Sequence, residues 1–247
     1  MKVAYRTSIG KQRNDNEDYV DVYTNLAGQH LAIIADGIGG HQGGDVASAM
    51  AVSHLGHEFE QTTLTTSAAA RTWITGEITA ENQSIIDKSN QFADLNGMGT
   101  TLVAALYFTE EVVIANIGDS RAYLLRDRQF RQLTEDHSLV NELVKRGEIT
   151  KQAAQHHPQK NVIIRSLGIS TDARFDLKTY PLVTGDQLLL CTDGLTNMVS
   201  DEDIQAILLS ERTTAEKCDR LIEMANAAGG LDNITVLIIA NHDGEVG

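Results

Sequence analysis

Basic side chains are scarce in this sequence. Lys and Arg number 20 against 34 Asp and Glu, a formal net charge of −14 over 247 residues. A nucleic-acid binder carries a basic face, and none is visible, so nucleic acid is not an expected partner. Long hydrophobic runs are missing too. No apolar stretch approaches the length of a membrane span, and Met1-Lys2-Val3-Ala4-Tyr5-Arg6 opens without the apolar core of a signal peptide. A cytoplasmic protein with no membrane attachment is expected. Cysteine is nearly absent. Cys191, in the run Leu188-Leu189-Leu190-Cys191, reads as a small core residue, and Cys218 lies in a helical stretch. Two cysteines so far apart suggest neither a disulfide framework nor a zinc site, and they suit a reducing compartment.

Several nucleotide- and phosphate-binding signatures also fail. Gly37-Ile38-Gly39-Gly40-His41-Gln42 follows an apolar run, but Gln42 replaces the last glycine of a dinucleotide loop. Gly10-Lys11 is followed by Gln12, and Tyr5 holds the first-glycine position, so there is no Walker A loop. No Cys-x5-Arg sequence surrounds either cysteine. Linkers of low complexity, internal repeats and shifts of composition are lacking, so one domain over 1–247, acting as a monomer, is expected.

What is present can build a core, since 42% of the residues are apolar. Strand-like segments cover 20–24 and 30–35, followed by helical patterns over 46–60 and 67–90, with Ser67 as an expected cap. Apolar runs at 100–108 and 111–117 predict one hairpin, and 122–125 with 129–133 a second. Short helices are expected at 138–146 and 151–156. Strands follow at 175–180 and 187–192, helices at 201–209 and 215–228, and a last strand at 233–240. Hairpins outnumber βαβ units, which points to an α+β fold: two packed antiparallel sheets, a β-sandwich, with helices outside each in four αββα layers.

The chemistry lies in where certain aspartates fall. Asp36 follows Leu31-Ala32-Ile33-Ile34-Ala35, Asp119 follows Val112 to Gly118, Asp193 follows Leu188 to Thr192, and Asp232 precedes the run from Ile234 to Ile239. Each has a glycine nearby. An Asp-Gly pair is commonly just a turn, but neither Asp36-Gly37 nor Asp193-Gly194 leads into an alternating return strand. Carboxylates at buried strand ends are costly unless a cation offsets them, and hard ions such as Mg²⁺ prefer such oxygens. Arg13-Asn14-Asp15-Asn16-Glu17-Asp18 adds a guanidinium suited to phosphate and two further carboxylates.

Arg13 with Glu17-Asp18, Asp36-Gly37-Ile38-Gly39-Gly40, Gly99-Thr100-Thr101, Gly118-Asp119-Ser120-Arg121, Asp193-Gly194 and Asp232-Asn233 occur in this order. Together they resemble the protein phosphatase 2C family, over about residues 1 to 240 and in its bacterial form. The resemblance implies metal-dependent hydrolysis of phosphoserine and phosphothreonine in proteins by direct attack of an activated water. It implies two Mn²⁺ or Mg²⁺ ions, with Asp36 bridging them, the Gly37 carbonyl on one, and Asp193 and Asp232 on the other. Glu17 and Asp18 would support the shell, Asp119 with Asp193 would hold a third ion, and Arg13 would bind the substrate phosphate. Arg13, Asp36 and Asp193 are thus the expected catalytic residues. Residues 138–168 match a mobile flap beside the site. Expected partners are phosphoproteins, including a Ser/Thr protein kinase or its targets. Some members carry His where Ile38 stands here; a metal-held water is then the expected proton donor, and His41 is given no role. A catalytically dead relative and a small-molecule phosphoesterase are the alternatives; the complete carboxylate set favours an active enzyme.

Overall fold

The computed structural model describes residues 1–39 and 43–241. Gly40, His41 and Gln42 lie outside the described residues. Two antiparallel sheets dominate. The first runs Lys2–Ser8 (β1), Ile234–Ala240 (β11), Gln187–Cys191 (β10), Arg121–Arg126 (β7) and Gln129–Gln132 (β8) across its width. The second runs Asp18–Thr24 (β2), His30–Ile38 (β3), Leu102–Tyr107 (β5), Glu111–Ile117 (β6) and Asp176–Pro181 (β9), with Gly99–Thr100 (β4) paired to the end of β3.

The central strands are apolar on both faces because both faces are covered. In β3, Ala32 and Ile34 face the space between the sheets, while Leu31, Ile33 and Ala35 face the helices Gly44–Glu60 (α1) and Ser67–Gln91 (α2). In β11, Leu237 and Ile239 face inward. Ile234, Val236 and Ile238 pack outward under Asp193–Thr196 (α5), Asp201–Leu208 (α6) and Thr214–Ala227 (α7). Each fully buried Leu or Ile in these three clusters contributes about 1.5–3 kcal/mol. The expected four-layer αββα sandwich is the one observed. Leu139–Lys145 (α3) and Lys151–Gln155 (α4) lie instead in the long connection from β8 to β9.

Three local expectations need correction. The cap of α2 is Thr66, whose side chain accepts from Ala69 N–H, and Ser67 is the first helical residue. Strand β1 was not expected: it is a sheet edge with several exposed residues, so its apolar period is weak. The strand carrying Asp36 does not stop before it but runs on to Ile38, because β4 pairs Gly37 with Thr100 and Ile38 with Gly99. The second hairpin turns through Asp127 and Arg128, both at positive φ, a two-residue turn that suits the twist of the paired strands.

The registers bring one end of both sheets together. Asp18 lies opposite Asp36, Cys191 opposite both Arg121 and Val236, and Ser8 opposite Ile234. The segments before β2, after β3, between β6 and β7, after β10 and before β11 therefore all meet at that end.

Candidate active site

Asp18 is the most constrained of the acidic residues gathered there. Its Oδ2 accepts from Thr192 Oγ1 at 2.9 Å and from Thr235 Oγ1 at 2.6 Å. Thr192 follows the last residue of β10 and Thr235 is the second residue of β11, so Asp18 of the second sheet is tied to the first. Asp193 begins α5, where Asn197 Nδ2 donates to its Oδ2 at 2.8 Å. Asp232 sits beside Asn233, a hub for the N-terminal loop. Asn233 Nδ2 donates to the Ile9 and Asp15 carbonyls, and its Oδ1 accepts from Glu17 N–H at 2.8 Å. The Glu17 carbonyl takes hydrogen bonds from Gly37 N–H at 3.0 Å and Ser48 Oγ at 2.6 Å. Gly37 is required there, since a Cβ would lie 2.2 Å from the Gly44 carbonyl oxygen.

The carboxylates act on one another. Burial pushes the Asp18 carboxyl up to about 7 against the pull of the Thr235 and Thr192 hydroxyls, with Asp193 and Asp232 adding to the rise. Burial, then the charges of Asp18, Asp193, Asp119 and Asp232, raise Asp36 well above the usual carboxylate range. Asp119 is pushed up to about 8 by burial and by Asp193 and Asp136. Asp193 reaches about 6 through burial and Asp232. Glu17 is raised by burial, opposed by Arg13. Repulsion of this kind marks a site short of positive charge. Arg13 supplies some: its Nη2 donates to Asp232 Oδ2 at 2.9 Å, and its Nη1 stands 4.0 Å from Glu17 Oε2.

The protein phosphatase 2C family model matches residues 7–233. The chain belongs to this family. It is 50% identical over 240 residues to the serine/threonine phosphatase stp of Listeria monocytogenes, covering 97% of this chain and 95% of that one. The Streptococcus agalactiae serine/threonine phosphatase superposes with a TM-score of 0.93 at 41% identity, covering 97% of this chain and 98% of that one. The catalytic domain of the serine/threonine protein phosphatase PstP, solved in complex with two manganese ions, superposes with a TM-score of 0.86 at 36% identity, covering 98% of each chain. This 2C-type chain is accordingly a protein-serine/threonine phosphatase.

All the acidic residues singled out by sequence lie at this end of the 2C-type sandwich. Among the described residues no three Asp, Glu, His or Cys side chains are drawn together tightly enough to form a finished metal cage. The donor set nevertheless fits a hard divalent ion. Asp18 Oδ1 and Asp119 Oδ1 are buried with no hydrogen-bond partner. Buried carboxyl oxygens without partners, set beside further carboxylates, can ionise only at a high cost unless a cation completes them. Sequence reading missed Thr192, Thr235 and Asn233 as supports of the acids. Thr192 and Asn233 each adjoin an aspartate in the chain, which was the one signal available; Thr235 had none. The cysteines take no part: burial pushes both thiols up to about 12.

Among the described residues no helix is long and apolar enough to cross a membrane.

Proposed function

We propose that this phosphatase hydrolyses phosphoserine and phosphothreonine in proteins by direct attack of water, with divalent ions held by Glu17, Asp18, Asp36, the Gly37 carbonyl, Asp119, Asp193 and Asp232. The observation that carries the reading is the set of mutually repelling, largely buried carboxylates with two bare oxygens. The two manganese ions of the PstP relative support it. When bound, such ions make water acidic enough to ionise near neutral pH and neutralise charge on the phosphoryl group.

The protein's own groups set the geometry. Asp18 is held at Oδ2 by two hydroxyls, so its Oδ1 is left for the site. Asn197 orients Asp193, and the Asn233 backbone N–H orients Asp232. Arg13 is half exposed beside Asp232, and its remaining N–H groups can take phosphoryl oxygens from the solvent side. A thiol phosphoenzyme is disfavoured by the two buried, poorly ionised cysteines.

The whole chain is proposed to act as one phosphatase domain, with 138–168 as a flap beside the site. A cleft of about 980 Å³ runs from Asp119 and Asp193 along this segment, past Ser138, Lys145 and Lys160. Its size suits a polypeptide flanking the phosphoresidue better than free phosphate.

The test is hydrolysis of a phosphothreonine peptide. A chelator should abolish it and Mn²⁺ restore it. Asp36→Asn should lower kcat by about 10²–10³-fold with the fold intact. Full activity in chelator, or a near-normal Asp36→Asn enzyme, would refute the assignment.

A further inference from the structure

We infer that His137 is a positioning residue that ties the base of the flap to the Gly118–Asp119 turn. The inference rests on the active-site reading above. His137 stands just before the flap and is 4% exposed. Its backbone N–H donates to the Gly118 carbonyl at 2.9 Å, and Gly118 N–H donates back to His137 Nδ1 at 3.2 Å. Gly118 has φ 104°, a conformation that favours glycine, and a Cβ there would lie 2.6 Å from Thr101 Cβ. The turn therefore rests directly on Thr101. Thr101 in turn holds Asp36: its Oγ1 accepts from Asp36 N–H at 3.0 Å, and its N–H donates to the Asp36 carbonyl at 2.9 Å.

The other side of His137 closes the base of the flap. Its carbonyl accepts from Ile164 N–H at 2.8 Å, and Leu139 N–H donates to the Val162 carbonyl at 2.8 Å. The two ends of the flap thus meet at His137, one peptide-to-peptide contact away from the Asp119 turn. The ring's orientation is fixed chemically. Gly118 donates to Nδ1, so Nδ1 keeps its lone pair and Nε2 carries the hydrogen. Nε2–H then faces Asp176 Oδ1 of β9 at 3.6 Å. Arg165 Nη1 of the flap, itself a donor and so not hydrogen-bonded to the ring, stands 3.4 Å from Nε2 and 3.8 Å from the same Asp176 oxygen. Oδ1 of that one carboxylate thus stands against the ring, the flap guanidinium and the sheet, close enough for charge attraction but not for direct hydrogen bonds. No other neutral side chain has an acceptor at Nδ1 and a donor at Nε2 in this spacing.

Three proteins test the role: wild type, His137→Leu, which removes the acceptor but keeps most of the volume, and His137→Asn, whose side-chain oxygen can accept near the place of Nδ1. Thermal melts check folding, and hydrogen exchange is read on the metal-free proteins. Exchange does not depend on turnover, so it separates a failure here from a failure of the active-site reading. His137→Leu should raise exchange at 116–120 and at 162–166 together, by about tenfold. With Mn²⁺ and a phosphopeptide it should lower kcat by about tenfold while KM changes less. His137→Asn should recover most of both losses. Exchange rising in only one of the two segments, an unchanged kcat, or Asn behaving no better than Leu would overturn the inference. Should His137→Leu fail to fold, Asp176→Asn decides: it loosens the Nε2 side of the ring and should raise exchange in both segments, and no rise in either would overturn the inference.

Discussion

Asp18 illustrates what this fold asks of a single side chain. One oxygen is saturated by two threonine hydroxyls and the other has no partner, although the residue is almost fully buried. An ordinary structural aspartate would be satisfied at both oxygens. The bare one makes sense where a cation completes it. Arg13 is the complementary case. Its guanidinium already pairs with Asp232, yet it remains half exposed at the mouth of the site. Its expected task is to grip phosphate, so Arg13→Ala should raise KM for a phosphopeptide about tenfold with a smaller change in kcat. Steady-state kinetics in saturating Mn²⁺ check this, and an unchanged KM would remove Arg13 from the substrate site. Arg13 and Asp18 were visible in sequence as members of one charged stretch. The hydroxyls that hold Asp18 were not, because Thr192 and Thr235 are distant from it in the chain.

At the scale of elements, short segments set the positions of the acids. Helix α5 is only four residues long, so its placement depends on close contact rather than on its own stability. That contact is Gly194: a Cβ there would lie 1.9 Å from the Asn233 carbonyl oxygen. Gly194→Ala should push α5 away from the segment carrying Asp232, destabilise the protein by about 1–3 kcal/mol, and reduce activity although every acidic side chain remains. Urea melts together with phosphopeptide kinetics test it; an alanine variant of full stability and activity would show that the segment yields freely. The hairpins and helices were legible because their apolar residues recur at periods of two and near four. Strand β1 was not, since an edge strand with many exposed residues carries little of that period.

At the scale of the whole molecule, the gathered carboxylates should govern how stability responds to pH. Asp18, Asp119 and Asp193 have native values raised to about 7, 8 and 6. Above the usual carboxylate range and below these values the folded chain holds more protons than the unfolded chain. Raising the pH through that window removes them and weakens the fold. In chelator the melting temperature should therefore fall between about pH 4 and pH 8, and Mn²⁺ should abolish most of the fall by neutralising the same groups. A metal-free protein whose melting temperature rises steadily across this window would contradict the crowding of these acids. The layered architecture and the identity of the acidic residues were set by the amino-acid order itself, because burial on both faces demands continuous apolar strands and the aspartates stand at their ends. Only the tertiary structure decided which acid lies against which, that Arg13 pairs with Asp232, and that Thr192, Thr235, Asn233 and His137 hold the surroundings in place. Those relations depend on strand register and on packing between the two sheets, which bring together atoms as much as 219 residues apart and leave little local trace in the chain.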